Sequence, residues 1–190
     1  MKRIVIFASG SGTNAENIIR CFQESDLAKV TLILSNKKEA KVLDRAKNLN
    51  VPFSSFTKDD LSGSNKILEL LIKEGPDLIV LAGFLLKFPT SILSQFPNKV
   101  INIHPALLPK YGGKGMYGAR VHEAVLENNE SETGITIHYV NENYDEGAII
   151  FQEEIGLSNN ETPSSVAAKI HELEYEFFPK VIEEILSQDL

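Results

Sequence analysis

Asn102 and His104 stand two apart in Asn102-Ile103-His104-Pro105, at the end of a short β-branched run. Side chains two apart on a strand leave from one face, so an amide donor and an imidazole would meet over the same patch. An imidazole moves protons near neutral pH, and an amide N–H can steady a developing oxyanion. Together they make a compact set for acyl transfer. A single Asn or His at a strand end also serves as an ordinary hydrogen-bonded structural group, so the pair needs partners. Two other segments offer them. Ser9-Gly10-Ser11-Gly12-Thr13-Asn14-Ala15 follows an apolar run and leads into a helical pattern. Exposed backbone N–H groups and a helix N-terminus at such a turn attract an anion; the alternative is a tight turn with no ligand. Asn141-Glu142-Asn143-Tyr144-Asp145-Glu146-Gly147 crowds acidic and amide groups together, just after Thr136 and His138, which share a strand face. It reads as a solvated turn or as a polar loop delivered to the same cleft, and it lacks the ligand spacing of a calcium loop.

The glycine turn admits a competing chemistry. Gly10-x-Gly12-x-x-Ala15 satisfies a dinucleotide fingerprint, whose usual companion is an acidic residue ending the second strand. That strand ends in Ser35-Asn36-Lys37-Lys38, which speaks against NAD and leaves only NADP open. An NADP-binding oxidoreductase and a non-catalytic nucleotide-binding module are therefore the readings from other classes.

Elements that could position these groups recur along the first hundred residues. Apolar runs at 3–8, 30–34, 78–82 and 100–102 show little polar alternation, as in strands buried on both faces of a parallel sheet. Helical stretches at 15–23, 38–48 and 66–73 lie between them, with a turn at 59–64. This alternation predicts an open, mostly parallel, twisted α/β sheet with helices on both faces and right-handed crossovers. Beyond Pro105 come a Gly-rich loop at 107–119, a helix at 120–127, and strands at 133–140 and 148–155 that either pair as a hairpin or join the sheet. A long amphipathic helix at 163–187, kinked at Pro179, closes the chain. With no repeat or linker, residues 1–190 read as one domain.

Composition narrows the partners. At 43% apolar and 24% charged over 190 residues, the chain is large enough to bury a core unaided. Nineteen Lys and Arg against 26 Asp and Glu leave a net charge of −7, which works against broad nucleic-acid or anionic-membrane surfaces. The one cysteine, Cys21, cannot close an internal disulfide, and no Cys/His cluster has zinc spacing, so no metal is expected. The apolar run near the N-terminus stops at Ser9-Gly10, short of a signal segment, and no stretch is long enough to span a bilayer. The expectation is a cytoplasmic protein, monomeric or homodimeric, that acts on small molecules.

Taken together and in order, these segments resemble the phosphoribosylglycinamide formyltransferase family of folate-dependent enzymes. The matching stretches are Ser9-Gly-Ser-Gly-Thr-Asn14, Ser35-Asn36-Lys37, Pro76-Asp-Leu-Ile-Val-Leu-Ala-Gly-Phe84, Asn102-Ile-His-Pro-Ala-Leu-Leu-Pro-Lys-Tyr111, Gly134-Ile-Thr-Ile-His-Tyr-Val140 and Asp145-Glu-Gly147. The resemblance implies a Rossmann-like formyltransferase fold, with nucleotide phosphate held in about 1–100 and folate in about 101–190. It implies formyl transfer from 10-formyltetrahydrofolate to the amine of glycinamide ribonucleotide in purine biosynthesis, without a metal. Asn102, His104 and Asp145 would be catalytic. Gly12, Thr13, Asn14 and Glu174 would hold glycinamide ribonucleotide. Leu85, Leu86, Lys87, Phe88, Asn102, Asn141, Glu142, Asn143, Tyr144 and Asp145 would flank the folate. The wider superfamily includes formyltetrahydrofolate hydrolases, the rival activity, which usually carry a further domain.

Two departures stand out. Leu85-Leu86 replaces the family's Met-Arg or Met-Lys, with Lys87 one place later, and the loop at 110–118 is longer and richer in glycine. Two physical expectations follow from the implied roles. A Cβ at Gly12 would block the phosphate's approach. Asp145 beside His104 would raise the histidine's pKa, so that a protonated imidazole stabilises the oxyanion.

Overall fold

The computed structural model describes residues 1–188. In chain order they form β1 (Lys2–Phe7), α1 (Thr13–Phe22), β2 (Ala28–Ser35), α2 (Lys41–Asn48), β3 (Phe53–Ser55), α3 (Lys58–Ser62) and α4 (Lys66–Glu74). There follow β4 (Leu78–Leu81), α5 (Thr90–Gln95), β5 (Val100–His104), α6 (Ala119–Glu127), β6 (Glu132–Tyr139), β7 (Ile149–Gly156) and α7 (Pro163–Gln188). The strands make one seven-stranded sheet in the order β3-β2-β1-β4-β5-β6-β7. β1 to β5 run parallel, whereas β6 pairs antiparallel with β5 and β7 antiparallel with β6. The two late strands are thus both a hairpin and part of the sheet.

Period-two alternation sorts the central strands onto two cores. Ile4 and Ile6 of β1 face α1, α2 and α7, packing with Ile18, Val42, Ile170 and Phe178. Val5 and Phe7 face the other layer, with Leu61, Ile67, Leu71 and Ile92 of α3, α4 and α5. There Phe7 meets Phe56, Phe84 and Phe88 edge-on at 5.2–5.8 Å. Chain order reverses between β1 and β4, so their carboxyl ends splay open at a switch point where an open α/β sheet takes its ligands.

Several boundaries differ from the sequence reading. β3 is an exposed three-residue edge strand whose Phe-Ser-Ser carries no apolar period. The turn at 59–64 contains α3, started by a capping box in which Thr57 and Asp60 satisfy each other's backbone N–H. α5 is an additional short helix. α2 starts at Lys41, not at 38. β5 runs to His104, two residues past the expected end, so Asn102 and His104 both lie within the strand.

α7 does not end at Pro179. A proline inside a helix leaves the carbonyl four residues earlier without its donor. Here that carbonyl belongs to Tyr175, and it accepts a hydrogen bond from Asn17 Nδ2 of α1 at 2.9 Å. The repair joins the helix that follows the glycine turn to the helix that carries Glu174.

Candidate active site

A cleft of about 660 Å³ opens over the switch point. Its walls are residues 10–14 after β1, 82–85 after β4, 102–105 at the end of β5, 113–119 of the Gly-rich loop, Tyr144 and Asp145, and one face of α7 with Ile170, His171 and Glu174.

Sheet register explains the polar floor. Asn102 pairs across the ladder with His138, and His104 with Thr136, so all four side chains share one face. Asn102 Nδ2 donates to His138 Nε2 at 3.1 Å, while His138 Nδ1 donates to the Tyr139 carbonyl at 2.9 Å. Thr136 Oγ1 donates to the Ala106 carbonyl at 2.7 Å and accepts from Leu108 N at 3.0 Å, which fixes the chain just after His104. His104 is 3% exposed. Its Nε2 donates to the Tyr111 carbonyl at 2.8 Å, and Nδ1 lies 3.7 Å from Asp145 Oδ2.

Asp145 reaches this position from a loop, in a left-handed conformation with φ of 57° that Asp tolerates better than most residues. Its Oδ2 accepts from Gly113 N at 2.9 Å, and its Oδ1 is 3.7 Å from His138 Nε2. Burial alone would raise the Asp145 carboxyl, but His138, His104 and the Gly113 N–H together hold it below the usual carboxylate range. For His104 the balance falls the other way. Burial pushes its pKa below the ordinary value, and the opposing pull of Asp145 and the Tyr111 carbonyl is smaller. The expected rise is thereby corrected: desolvation of the imidazolium outweighs one carboxylate at 3.7 Å, and the resting imidazole is neutral.

On the α7 wall of the cleft, Glu174 is 5% exposed and its Oε2 accepts from Asn14 Nδ2 at 2.8 Å and His171 Nδ1 at 2.9 Å. The hydrogen bond that His171 donates to Glu174 lifts the His171 pKa against its burial. The glycine turn is braced from behind: Arg45 Nε donates to the Ser11 carbonyl at 2.8 Å and its guanidinium pairs with Glu16. Ser9 Oγ donates to Asn36 Oδ1 at 2.6 Å and accepts from Leu85 N at 3.0 Å, tying three strand ends together. Asn36 thus occupies the place where a dinucleotide site would put its acidic residue.

Gly12 sits at φ 73° as the N-cap of α1, whose first turn carries no side-chain cap. A Cβ there would collide with Val42, whereas a Cβ at Gly10 would meet nothing within 4 Å. Packing and positive φ are therefore sufficient reasons for glycine at 12, and the reason given from sequence alone is corrected.

The cleft brings together Gly12, Thr13, Asn14, Leu85, Asn102, His104, Tyr144, Asp145 and Glu174. Leu86, Lys87, Phe88, Asn141, Glu142 and Asn143 stand outside its lining. Phe88 is packed in the aromatic core, and Lys87, Asn141, Glu142 and Asn143 are exposed. The sequence reading named no role for His122, His171, Lys114 and the backbone groups of Tyr111 and Gly113, all of which surround the site. Only His138 carried a usable signal, its alternation with Thr136.

The family model described as formyl transferase matches residues 2–182. The chain is similar to the chloroplastic phosphoribosylglycinamide formyltransferase of Arabidopsis thaliana, 38% identical over 95% of this chain and 64% of that one. It therefore spans just under two thirds of that plant relative's length. With the Haemophilus influenzae phosphoribosylglycinamide formyltransferase it shares 36% identity over 96% of this chain and 86% of the relative. Among solved structures, glycinamide ribonucleotide transformylase 1 from Geobacillus kaustophilus superposes with a TM-score of 0.89 at 36% identity, covering 98% and 99% of the two chains. The chain therefore belongs to the formyl transferase family.

Proposed function

We propose that this protein transfers the formyl group of 10-formyltetrahydrofolate to the primary amine of glycinamide ribonucleotide, a step of purine biosynthesis. The observation that carries the reading is the floor of the cleft, where Asn102 and His104 leave β5 on one face and Asp145 stands 3.7 Å from the imidazole. The amine must lose one proton, the departing folate nitrogen must gain one, and an oxyanion forms between.

His104 has Nε2–H committed to the Tyr111 carbonyl, so Nδ1 is the atom that exchanges protons. Neutral at rest, it accepts the amine's proton, directly or through a water, and returns it to the leaving nitrogen. Asp145 stabilises the imidazolium in the interval. Asn102 gives one N–H to His138 and has a second for the oxyanion, a donor typically worth about 3 kcal/mol in the barrier.

The acceptor's phosphate is assigned to residues 10–14 and the uncapped first turn of α1, with Lys114 lining the same cleft. Glu174 and Asn14 are assigned to the rest of glycinamide ribonucleotide. The folate is assigned to Leu85, Tyr144 and the backbone nearby. Of the further candidates, Leu86, Lys87 and Phe88 act by shaping that wall, and Asn141, Glu142 and Asn143 by setting the loop that presents Asp145. Among the described residues no helix is long and apolar enough to cross a membrane. The proposed setting is the cytoplasm, with small molecules as partners and the protein a monomer or homodimer.

The test is an assay of formyl transfer with each substrate omitted in turn. Formylated nucleotide is expected only with both present. Formate released from 10-formyltetrahydrofolate at an equal rate without the nucleotide would establish hydrolysis instead.

A further inference from the structure

We infer that Tyr111 and Glu130 form a clamp outside the cleft that positions His104; the inference rests on His104 acting in the reaction proposed above. The carbonyl that accepts from His104 Nε2 at 2.8 Å belongs to Tyr111. This bond determines which ring nitrogen carries the proton and leaves the Nδ1 lone pair toward Asp145.

Tyr111 holds that carbonyl in place from a left-handed conformation, φ 56°, which a bulky residue keeps only when its surroundings enforce it. Two glycines follow it, at 112 and 113, yet position 111 carries a side chain. That side chain is the anchor: its hydroxyl donates to Glu130 Oε1 at 2.8 Å. Glu130 is fixed in turn by its backbone N–H, which donates to the Val125 carbonyl of α6 at 3.2 Å. Lys110 Nζ reaches both carboxylate oxygens, at 3.0 and 3.1 Å. The Tyr111 hydroxyl, with help from Lys110, holds the Glu130 carboxyl below its usual range, so it remains a charged acceptor. Two residues beyond Tyr111, Gly113 N–H holds Asp145. One short segment therefore orients both partners of the His104–Asp145 pair, and the clamp secures its first residue to α6.

Tyr111 and Glu130 line a separate cavity of about 250 Å³ and are absent from the substrate cleft. Loosening the clamp should therefore alter turnover and leave substrate affinity alone. The experiment compares Tyr111→Phe, Glu130→Ala and the double variant, measuring kcat and KM for both substrates. It also records long-range 1H–15N spectra of the labelled proteins to read the His104 tautomer.

Each single substitution is expected to lower kcat about tenfold, with both KM values within about twofold of the parent. The double variant should be no slower than the worse single one, because both changes remove the same bond. The His104 resonances should move from a pure Nε2–H tautomer toward a mixture. Should Tyr111→Phe fold poorly, Glu130→Ala carries the test, since that side chain is 23% exposed. Unchanged His104 nitrogen signals in the variants would overturn the clamp, whatever the rates do. An unchanged kcat beside shifted signals would overturn its part in turnover. Full turnover in a folded His104→Ala protein would instead remove the catalytic reading of His104, and the nitrogen spectra do not depend on that result.

Discussion

Asp145→Asn isolates one charge. Asparagine adopts the same left-handed backbone, and its side-chain oxygen can still accept from Gly113 N–H, so geometry survives while the negative charge goes. At the 3.7 Å separation from His104 Nδ1, the attraction between imidazolium and carboxylate is about 4.5 kcal/mol at an effective dielectric near 20 and about 1 kcal/mol in bulk water. With about 1.4 kcal/mol per decade, the loss of turnover falls between roughly tenfold and roughly a thousandfold.

The sign of the pH effect is equally definite. Burial favours neutral His104 and Asp145 opposes it, so removing Asp145 lowers the histidine's pKa further. A histidine that begins as a base must be unprotonated in the free enzyme, so kcat/KM falls on the acid side. In Asp145→Asn that acid limb should move to lower pH while the plateau drops. The assay is kcat/KM against pH for both proteins, with the His104 titration followed by NMR. A plateau and limb like the parent's would remove Asp145 from the reaction. An acid limb moved upward would refute the electrostatic reasoning itself.

Gly10→Ala should raise KM for glycinamide ribonucleotide with little change in the urea midpoint, because its Cβ enters open cleft space. Gly12→Ala should instead lower the midpoint through the clash with Val42 and the positive φ; equal midpoints for the two variants would contradict this. Asn17→Ala should cost about 0.5–1.5 kcal/mol for the lost hydrogen bond to the Tyr175 carbonyl, which lies where water can reach it. It should cost much less in a Pro179→Ala background, where the helix supplies its own donor, and a double-mutant cycle in urea with no coupling would refute the repair. Burial lowers the pKa of both His104 and His122, so the unfolded chain binds more protons just below the ordinary value of 6.5. Their contribution to stability is present above that value and lost as pH falls through the lowered ones. His122→Leu should therefore flatten the fall in urea midpoint between about pH 7.5 and about 5.5, and an unchanged slope would count against it.

Central strands were legible because their environment is uniform. Ile4 to Phe7 and Leu78 to Leu81 are apolar on both sides, and both sides are buried. The exposed edge strand Phe53–Ser55 lacks that pressure and left no trace in the pattern. α3 did announce itself through Thr57 and Asp60, but three-residue capping spacing is easily read as a turn. Asn102 and His104 were found by the same local logic, since a period of two needs only the strand they sit on. What answers them is non-local. His138 faces Asn102 only through the β5–β6 register, and Asn17 completes α7 from a helix 158 residues away in sequence. The Tyr111 carbonyl and the Gly113 N–H are backbone groups common to every residue type but proline, which lacks the N–H, so no side-chain pattern marks them. The charge state of His104 lay furthest from reach. Sequence can name Asp145 as a neighbour that favours the imidazolium, but the opposing cost of desolvation depends on how completely the folded chain excludes water from the ring, and that cost decides the sign.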